Sequence, residues 1–289
     1  MCIRDSYVAV DLRTGEEIWR IDPSASGVSL VPSFGYNYAL ENPNQHGFIP
    51  NGILMASGGG GGFFFGGGGA TYWRGYNPAT GELTTMNITN IPTGGVDLPG
   101  PQGEFLKIIL TNKGTSANPN WYLSQWNSSR VFGSGSFGAS GWYSGTSDAS
   151  AASAYDWNVS VNLSSGSWSI GSGGQGSFPF VDLDNMALLV QGTFGGHVGD
   201  YGATVTSDPA NITAISLSEG SRGSVLWRHS YEQAPNNNTR FFTGWDVNAG
   251  IFSFCDKETF EHWGYSLANG NYVWGPSKVP DDYTADYNY

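Results

Sequence analysis

Short alternations of apolar and polar residues recur along this chain, and many of them end in a turn that contains glycine. Residues 7–10 alternate in this way, as a half-buried strand does. Asp11 can end that strand, because its carboxylate can accept hydrogen bonds from the backbone N–H groups that follow. Gly15 can take a positive φ without a steric penalty, and the residues up to Trp19 form a return strand. This stretch is therefore predicted to form a β-hairpin.

The same strand–turn–strand pattern is repeated, with Asp11, Asn77 and Ser266 at equivalent hairpin corners. The further copies contain Thr80-Gly81, Gly166 with Trp168, Gly220 with Trp227, and Asn269-Gly270 with Trp274. The last two intervals between turn glycines are roughly 50 residues, close to the length of one β-propeller blade. An isolated hairpin is marginal in water, so we expect the copies to combine into larger sheets. We expect the indoles of Trp19 and Trp274 to be largely buried between them.

The fold class that these patterns predict is all-β. No stretch keeps an i, i+3, i+4, i+7 apolar pattern for ten residues, as a helix would require. Residues 32–51 and 132–154 are predicted to be long loops, and residues 58–69 a low-complexity insert. Over residues 7–280 we expect a β-propeller of four-stranded blades, as an incomplete ring of about five or six blades.

The two ends of the chain are interpreted separately. Residues 1–6 are what a transposase end used in sequencing libraries would encode, so we interpret them as a technical scar on a metagenomic fragment. Residues 281–289 are interpreted as a truncated tail. Cys255 then remains as the single native cysteine, and no disulfide is expected within the chain. Its phenylalanine neighbours favour a buried apolar role over a nucleophilic one.

Composition and charge narrow the classes of partner. Of the 289 residues, 43 are glycine, 15% are aromatic and only 12% are charged, which is typical of a turn-rich β protein. The net charge of −12 repels phosphate backbones, so nucleic-acid binding is not expected. No apolar run approaches the roughly 18 residues that a membrane span needs.

The first hairpin carries a recognisable motif. Ala9, Asp11, Thr14, Gly15 and Trp19 spell A-x-D-x-x-T-G-x-x-x-W, which resembles the tryptophan-docking motif of PQQ-type quinoprotein β-propellers. The degenerate copies keep Thr80 and Gly81, Gly220 and Trp227, and Gly270 and Trp274. The chain is also similar to archaeal surface proteins with PQQ-like repeats. The resemblance implies a structural role, in which the indole wedges between neighbouring blades, and it implies an extracellular or cell-surface location.

Candidate chemistry is sparse. By resemblance, a quinoprotein dehydrogenase would need PQQ, a Ca²⁺ ion and a general-base aspartate, and many members carry a Cys-Cys pair that is missing here. Asp182, Asp184 and Asn185 offer oxygens suited to a hard cation, although a turn is the preferred interpretation. The histidines lack the spacing of a metal site, although two of them could line a loop site. The two are His46 and His197, which lie in predicted loops, and the other histidines are His229 and His262.

Three functions follow from these observations. We expect a non-catalytic, secreted or cell-surface propeller that binds a protein or glycan ligand and has no resident cofactor. The first alternative is a quinoprotein oxidoreductase that depends on PQQ and calcium. The second is a glycan-processing propeller enzyme, which would need two carboxylates facing each other across the channel.

Overall fold

The computed structural model describes residues 6–21, 34–37, 52–58, 72–101, 103–132, 146–170, 180–191, 210–232, 234–235, 238–256 and 258–278. These residues form β-strands in five sheets, together with the short helix α1 (Ser128–Phe132) and a 3-10 turn at Ala152–Ala154. The predicted all-β class is confirmed. Within the described part of the chain, no helix has the length and apolar character needed to cross a membrane.

The sheets follow one another along the chain, except that the second and third interleave. The first contains β1 (Tyr7–Val10) and β2 (Glu17–Ile21). The second has the order β10-β6-β5-β4-β3, from β3 (Phe34–Asn37), β4 (Gly52–Gly58), β5 (Tyr72–Tyr76), β6 (Leu83–Thr89) and β10 (Thr146–Asp148). The third has the order β11-β9-β8-β7, from β7 (Val96–Pro99), β8 (Phe105–Asn112), β9 (Trp121–Asn127) and β11 (Tyr155–Val161).

The last two sheets are antiparallel. The fourth has the order β12-β14-β15-β16, with β13 also paired to β14, from β12 (Trp168–Ser169), β13 (Val181–Asp182), β14 (Met186–Gln191), β15 (Ala210–Ser216) and β16 (Val225–Tyr231). The fifth has the order β17-β18-β19-β20, from β17 (Arg240–Asp246), β18 (Ile251–Asp256), β19 (Glu261–Ser266) and β20 (Tyr272–Lys278).

Two compact units can be distinguished, Met1–Ile108 with Ser124–Trp157, and Ile109–Leu123 with Asn158–Tyr289. In the first unit, a small apolar cluster joins the first two sheets through Ile21, Ala56 and Tyr76. In the second unit, the fourth and fifth sheets share a larger core. Its buried members include Leu188, Ile212, Trp227, Phe252 and Phe254. Within each unit, therefore, two sheets bury apolar side chains in a shared cluster.

Three hairpins close with the same pair of backbone hydrogen bonds. In the first, the N–H of Asp11 donates to the carbonyl of Glu16 at 2.8 Å, and the N–H of Gly15 donates to the carbonyl of Asp11 at 2.7 Å. The same bonds recur in two further sets, Asn77, Gly81 and Glu82, and Ser266, Gly270 and Asn271. Gly15, Gly81 and Gly270 have φ of +75°, +73° and +75°, where a Cβ would be strained. The predicted equivalence of the three corners is confirmed.

Two predicted loops were wrong in part. Residues 34–37 form β3, which pairs with β4 from Phe34 opposite Met55. Residues 146–148 form β10, which pairs in parallel with β6. In both places the strand is short and its backbone is paired with a distant segment, so local composition does not reveal it. The predictions for residues 1–5, 59–69 and 281–289 lie outside the described residues.

Candidate functional site

The indole of Trp19 lies on the turn of the β5–β6 hairpin. Its Nε1 donates to the carbonyl of Pro78 at 2.8 Å. A Cβ at Gly81 would lie 2.7 Å from Cδ2 of the same ring, so the indole covers this turn at a distance that only glycine permits. Ala9 is the cross-strand partner of Trp19, and its small side chain limits crowding beside the ring.

The other residues of the motif shape the turn. Oδ1 of Asp11 accepts the backbone N–H groups of Arg13 at 2.7 Å and Thr14 at 3.1 Å. Oγ1 of Thr14 accepts the N–H of Glu16 at 3.2 Å. In the next copy, Thr80 accepts the N–H of Glu82 in the same way at 3.3 Å. Asp11 and Thr14 therefore satisfy backbone donors that the tight turn leaves unpaired.

Trp227 repeats the arrangement of Trp19 in the second unit. Its Nε1 donates to the carbonyl of Leu267 at 2.8 Å, and a Cβ at Gly270 would lie 2.8 Å from Cζ3 of its ring. Its cross-strand partner is Ala214, again a small residue. Asn269 occupies the turn position that Thr14 occupies in the first hairpin, and its Oδ1 accepts the N–H of Asn271 at 2.9 Å. The substitution therefore keeps the hydrogen-bond acceptor.

Trp126 makes a comparable contact that the sequence reasoning missed. Its indole is fully buried, and Nε1 donates to the carbonyl of Ala149 at 2.9 Å. Ala149 follows the corner residue Asp148, just as Pro78 and Leu267 follow theirs. Oδ1 of Asp148 also accepts the N–H of Ser150 at 2.9 Å. The Asp148 corner contains no turn glycine, which is why its sequence gave no signal.

Two residues of the predicted motif copies occupy different environments. Gly220 has open space around it, whereas Gly223 donates its N–H to the carbonyl of Ser216 at 2.8 Å, as the other turn glycines do with their corners. Trp274 packs on its own sheet, because a Cβ at its partner Gly264 would lie 2.2 Å from its Nε1. Trp19 and Trp274 are half-buried, less than expected, whereas Trp227 is only 9% exposed.

The acidic and cysteine candidates have structural surroundings. Asp182 and Asn185 close a turn, in which the Asn185 amide donates to the Asp182 carboxylate at 2.9 Å, and Asp184 has φ of +68°. Cys255 is buried, and its burial, with a contribution from Asp256, raises the pKa of the thiol to about 12. Within the described residues, no group of three or more His, Cys, Asp or Glu side chains could hold a metal ion.

The two histidines in the described part of the chain, His229 and His262, also form no common site. His229 Nε2 lies 3.0 Å from Oδ1 of Asn271, among aromatic rings. His262 is half-buried, and burial lowers its pKa. His46 and His197 lie outside the described residues. The described histidines are therefore explained by packing and hydrogen bonding.

A groove on the fourth sheet collects polar side chains that the sequence reasoning did not connect. Trp168, Gln191, Asn211 and Ser230 are successive register partners across β12, β14, β15 and β16. Because they share one register row, their side chains leave the same face of the sheet. The groove has a volume of about 470 Å³, and it is also lined by Asn162, Ser164, Ile212, Thr213, Arg228 and the candidate residue His229. We call this site the amide groove.

Hydrogen bonds hold the amide groove in shape without using all of its polar groups. Asn211 Nδ2 donates to Gln191 Oε1 at 3.3 Å, and Gln191 Nε2 donates to the carbonyl of Ser165 at 2.8 Å. The Trp168 indole donates to the carbonyl of Ser164 at 3.1 Å. An amide side chain has two donors and two acceptor lone pairs. Asn211 therefore keeps a carbonyl oxygen and an N–H for a ligand.

Neither a protein-family model nor a curated protein matches this chain. Its function must therefore follow from the chemistry of its own groups. The amide groove combines an indole, three amides, hydroxyl groups and one guanidinium. Such a set can bind a polar ligand by several hydrogen bonds and by contact with an aromatic face.

Proposed function

We propose that this protein is a β-propeller binding or scaffold module outside the cell or on its surface, and that the amide groove is its ligand site. Two features support the propeller. The sheets follow one another along the chain, except that β10 of the second sheet lies between β9 and β11 of the third, and most of their neighbouring strands are antiparallel. The indoles of Trp19 and Trp227 bond to the turns of later hairpins, as blade-docking residues would.

The ligand class that we assign to the amide groove is a glycan. The row of Trp168, Gln191, Asn211 and Ser230 carries this assignment, since it presents an indole, two amides and a hydroxyl side by side. Sugar hydroxyls both donate and accept, which matches amide and hydroxyl side chains. The C–H face of a sugar ring packs well on an aromatic ring. The volume of about 470 Å³ also falls within the range of small-ligand sites, about 300–1,000 Å³.

The test is binding of purified protein to a glycan array, followed by titration calorimetry on the glycans retained. Asn211→Ala should weaken binding about tenfold, because it removes one or two hydrogen bonds of about 1 kcal/mol each. Trp168→Ala should weaken it at least as much, because the aromatic surface is lost. Asn248→Ala and Trp245→Ala are matched controls, since both residues are exposed and neither lines the groove.

The control variants should bind glycan with unchanged affinity, and Asn211→Ala and Asn248→Ala should keep their thermal unfolding midpoint to within a few degrees. Retention of no glycan would contradict the proposal. Equal affinities for the wild type, Asn211→Ala and Trp168→Ala would remove the amide groove as the site.

A further inference from the structure

We infer that the amide groove selects a sugar that carries an anionic substituent, and that Arg228 makes this selection. The inference rests on the proposed glycan binding and adds the charge of the ligand to it. It follows from the position of Arg228, from its hydrogen bonding and from the ion pairs elsewhere in the described structure.

Arg228 lies on the same face of the fourth sheet as the polar row. Its partner on β15 is Thr213, two residues from Asn211. Two residues along a strand are about 7 Å apart, and their side chains leave the same face. A ligand bound to Asn211 would therefore lie within reach of the Arg228 side chain.

A hydrogen bond holds the guanidinium group of Arg228 in place, but it uses only one of the five N–H donors. Its Nη2 donates to the carbonyl of Asn162 at the edge of the groove. A guanidinium has five N–H donors in one plane, so four remain after this bond. The contact to Asn162 restrains the side chain, which reduces the entropy that a ligand contact would cost.

Arg228 differs from the arginines that form ion pairs. In the described part of the chain the ion pairs are Arg20–Glu17, Lys107–Asp97, Arg130–Asp156 and Arg240–Asp256. Arg228 belongs to none of these. In a protein with a net charge of −12, it supplies a local positive charge inside a ligand groove.

A carboxylate or a sulfate ester on a sugar suits this position. Both can accept two parallel N–H bonds from a guanidinium, an arrangement that a lysine ammonium cannot reproduce. The amides of the polar row would then bind hydroxyl groups of the same sugar or of its neighbour. Selectivity for the anion would come from Arg228, and most of the remaining affinity from the row.

The experiment compares three probes by titration calorimetry: galacturonate oligomers, their methyl esters and sulfated galactan oligomers. The esters keep the backbone of the acid and remove its charge. We expect the wild type to bind at least one anionic probe about five- to tenfold more tightly than the ester. The anionic probe that binds more tightly shows whether carboxylate or sulfate is the group recognised.

Four variants separate the roles of the residues. Arg228→Gln should reduce the preference for the anion to about onefold while ester binding persists, and Arg228→Lys should restore only part of it. Arg13→Gln is the matched control, since Arg13 is exposed in a turn outside the groove, and should leave the preference unchanged. Asn211→Ala should weaken all probes that bind.

Three outcomes would overturn the inference, and they are distinguishable. Equal affinity for acid, sulfate and ester, all weakened by Asn211→Ala, would overturn the role of Arg228 and leave glycan binding in place. Binding of none of the three probes would overturn the inference, whereas the proposed function is overturned only if the glycan array also retains no glycan. A preference for the anion that survives Arg228→Gln would also overturn the assignment to this residue.

Discussion

Two turn glycines allow the contact of the Trp19 indole to be separated from turn strain. Gly81 and Gly15 have φ of +73° and +75°, so alanine at either should meet the same backbone cost of about 1–2 kcal/mol. Nothing lies within 4 Å of a Cβ at Gly15, whereas a Cβ at Gly81 would meet Trp19 Cδ2 at 2.7 Å. The overpacking should add about 1–3 kcal/mol at Gly81 alone. We therefore expect Gly81→Ala to cost about 2–5 kcal/mol, against about 1–2 for Gly15→Ala.

The assay is urea unfolding followed by far-ultraviolet circular dichroism, with a double-mutant cycle. Trp19→Ala removes both part of the buried indole surface and the hydrogen bond to Pro78, and should cost about 2–4 kcal/mol. In that background no ring remains to clash, so Gly81→Ala should cost only its strain. The pair should thus be less damaging than the sum of its members by about 1–3 kcal/mol.

The second unit offers an independent copy of the same comparison. A Cβ at Gly270 would lie 2.8 Å from Trp227 Cζ3, whereas nothing lies within 4 Å of one at Gly220. Gly270→Ala should therefore cost more than Gly220→Ala. If the two members of either pair cost the same to within about 0.5 kcal/mol, or if the double-mutant cycle gives no coupling, the indole contact does not stabilise the turn as argued.

Three further predictions concern single residues. Burial raises the pKa of Asp156, but hydrogen bonds from Arg130, Asn127 and Gln125 outweigh it and hold this pKa below its ordinary value. Asp156→Asn should therefore cost about 1–2 kcal/mol at pH 7. Urea unfolding should show the difference in stability between wild type and variant closing as the pH falls through the folded-state pKa of Asp156. Asn269→Thr should change stability by less than about 0.5 kcal/mol in the same assay, since Thr14 shows that a hydroxyl can accept this turn bond. In a Cys2→Ser background, Cys255 should react with a thiol reagent at pH 8 only on unfolding, since burial raises its pKa to about 12; fast labelling of the native protein would contradict this.

The hairpins could be predicted from the sequence because their chemistry is local. Asp11 accepts backbone donors two and three residues further on, and Gly15 supplies the positive φ. A short window of sequence contains all of these groups. The copy at Ser266 was found for the same reason, because Gly270 and Trp274 keep the spacing even though Asn269 replaces threonine.

The features that the sequence did not predict depend on register and on distant pairing. β10 joins β6 across 58 residues, with Thr89 Oγ1 bonded to the carbonyl of Ser147. The amide groove brings Trp168 beside Gln191, and Asn211 beside Ser230, only because the strands pair in one register. A shift of one residue would send these side chains to the opposite face, and composition does not determine that choice.

The contact between Trp19 and Pro78 also sets an order of events during synthesis. The donor and its acceptor are 59 residues apart, and ribosomes add about 5–20 residues per second. The indole therefore leaves the ribosome about 3–12 s before the carbonyl that will bind it. Trp227 likewise precedes its acceptor, the carbonyl of Leu267, by 40 residues. During these intervals the nascent hairpin exposes a tryptophan whose partner turn has not yet been synthesised. A ribosome-associated chaperone would meet this kind of surface first.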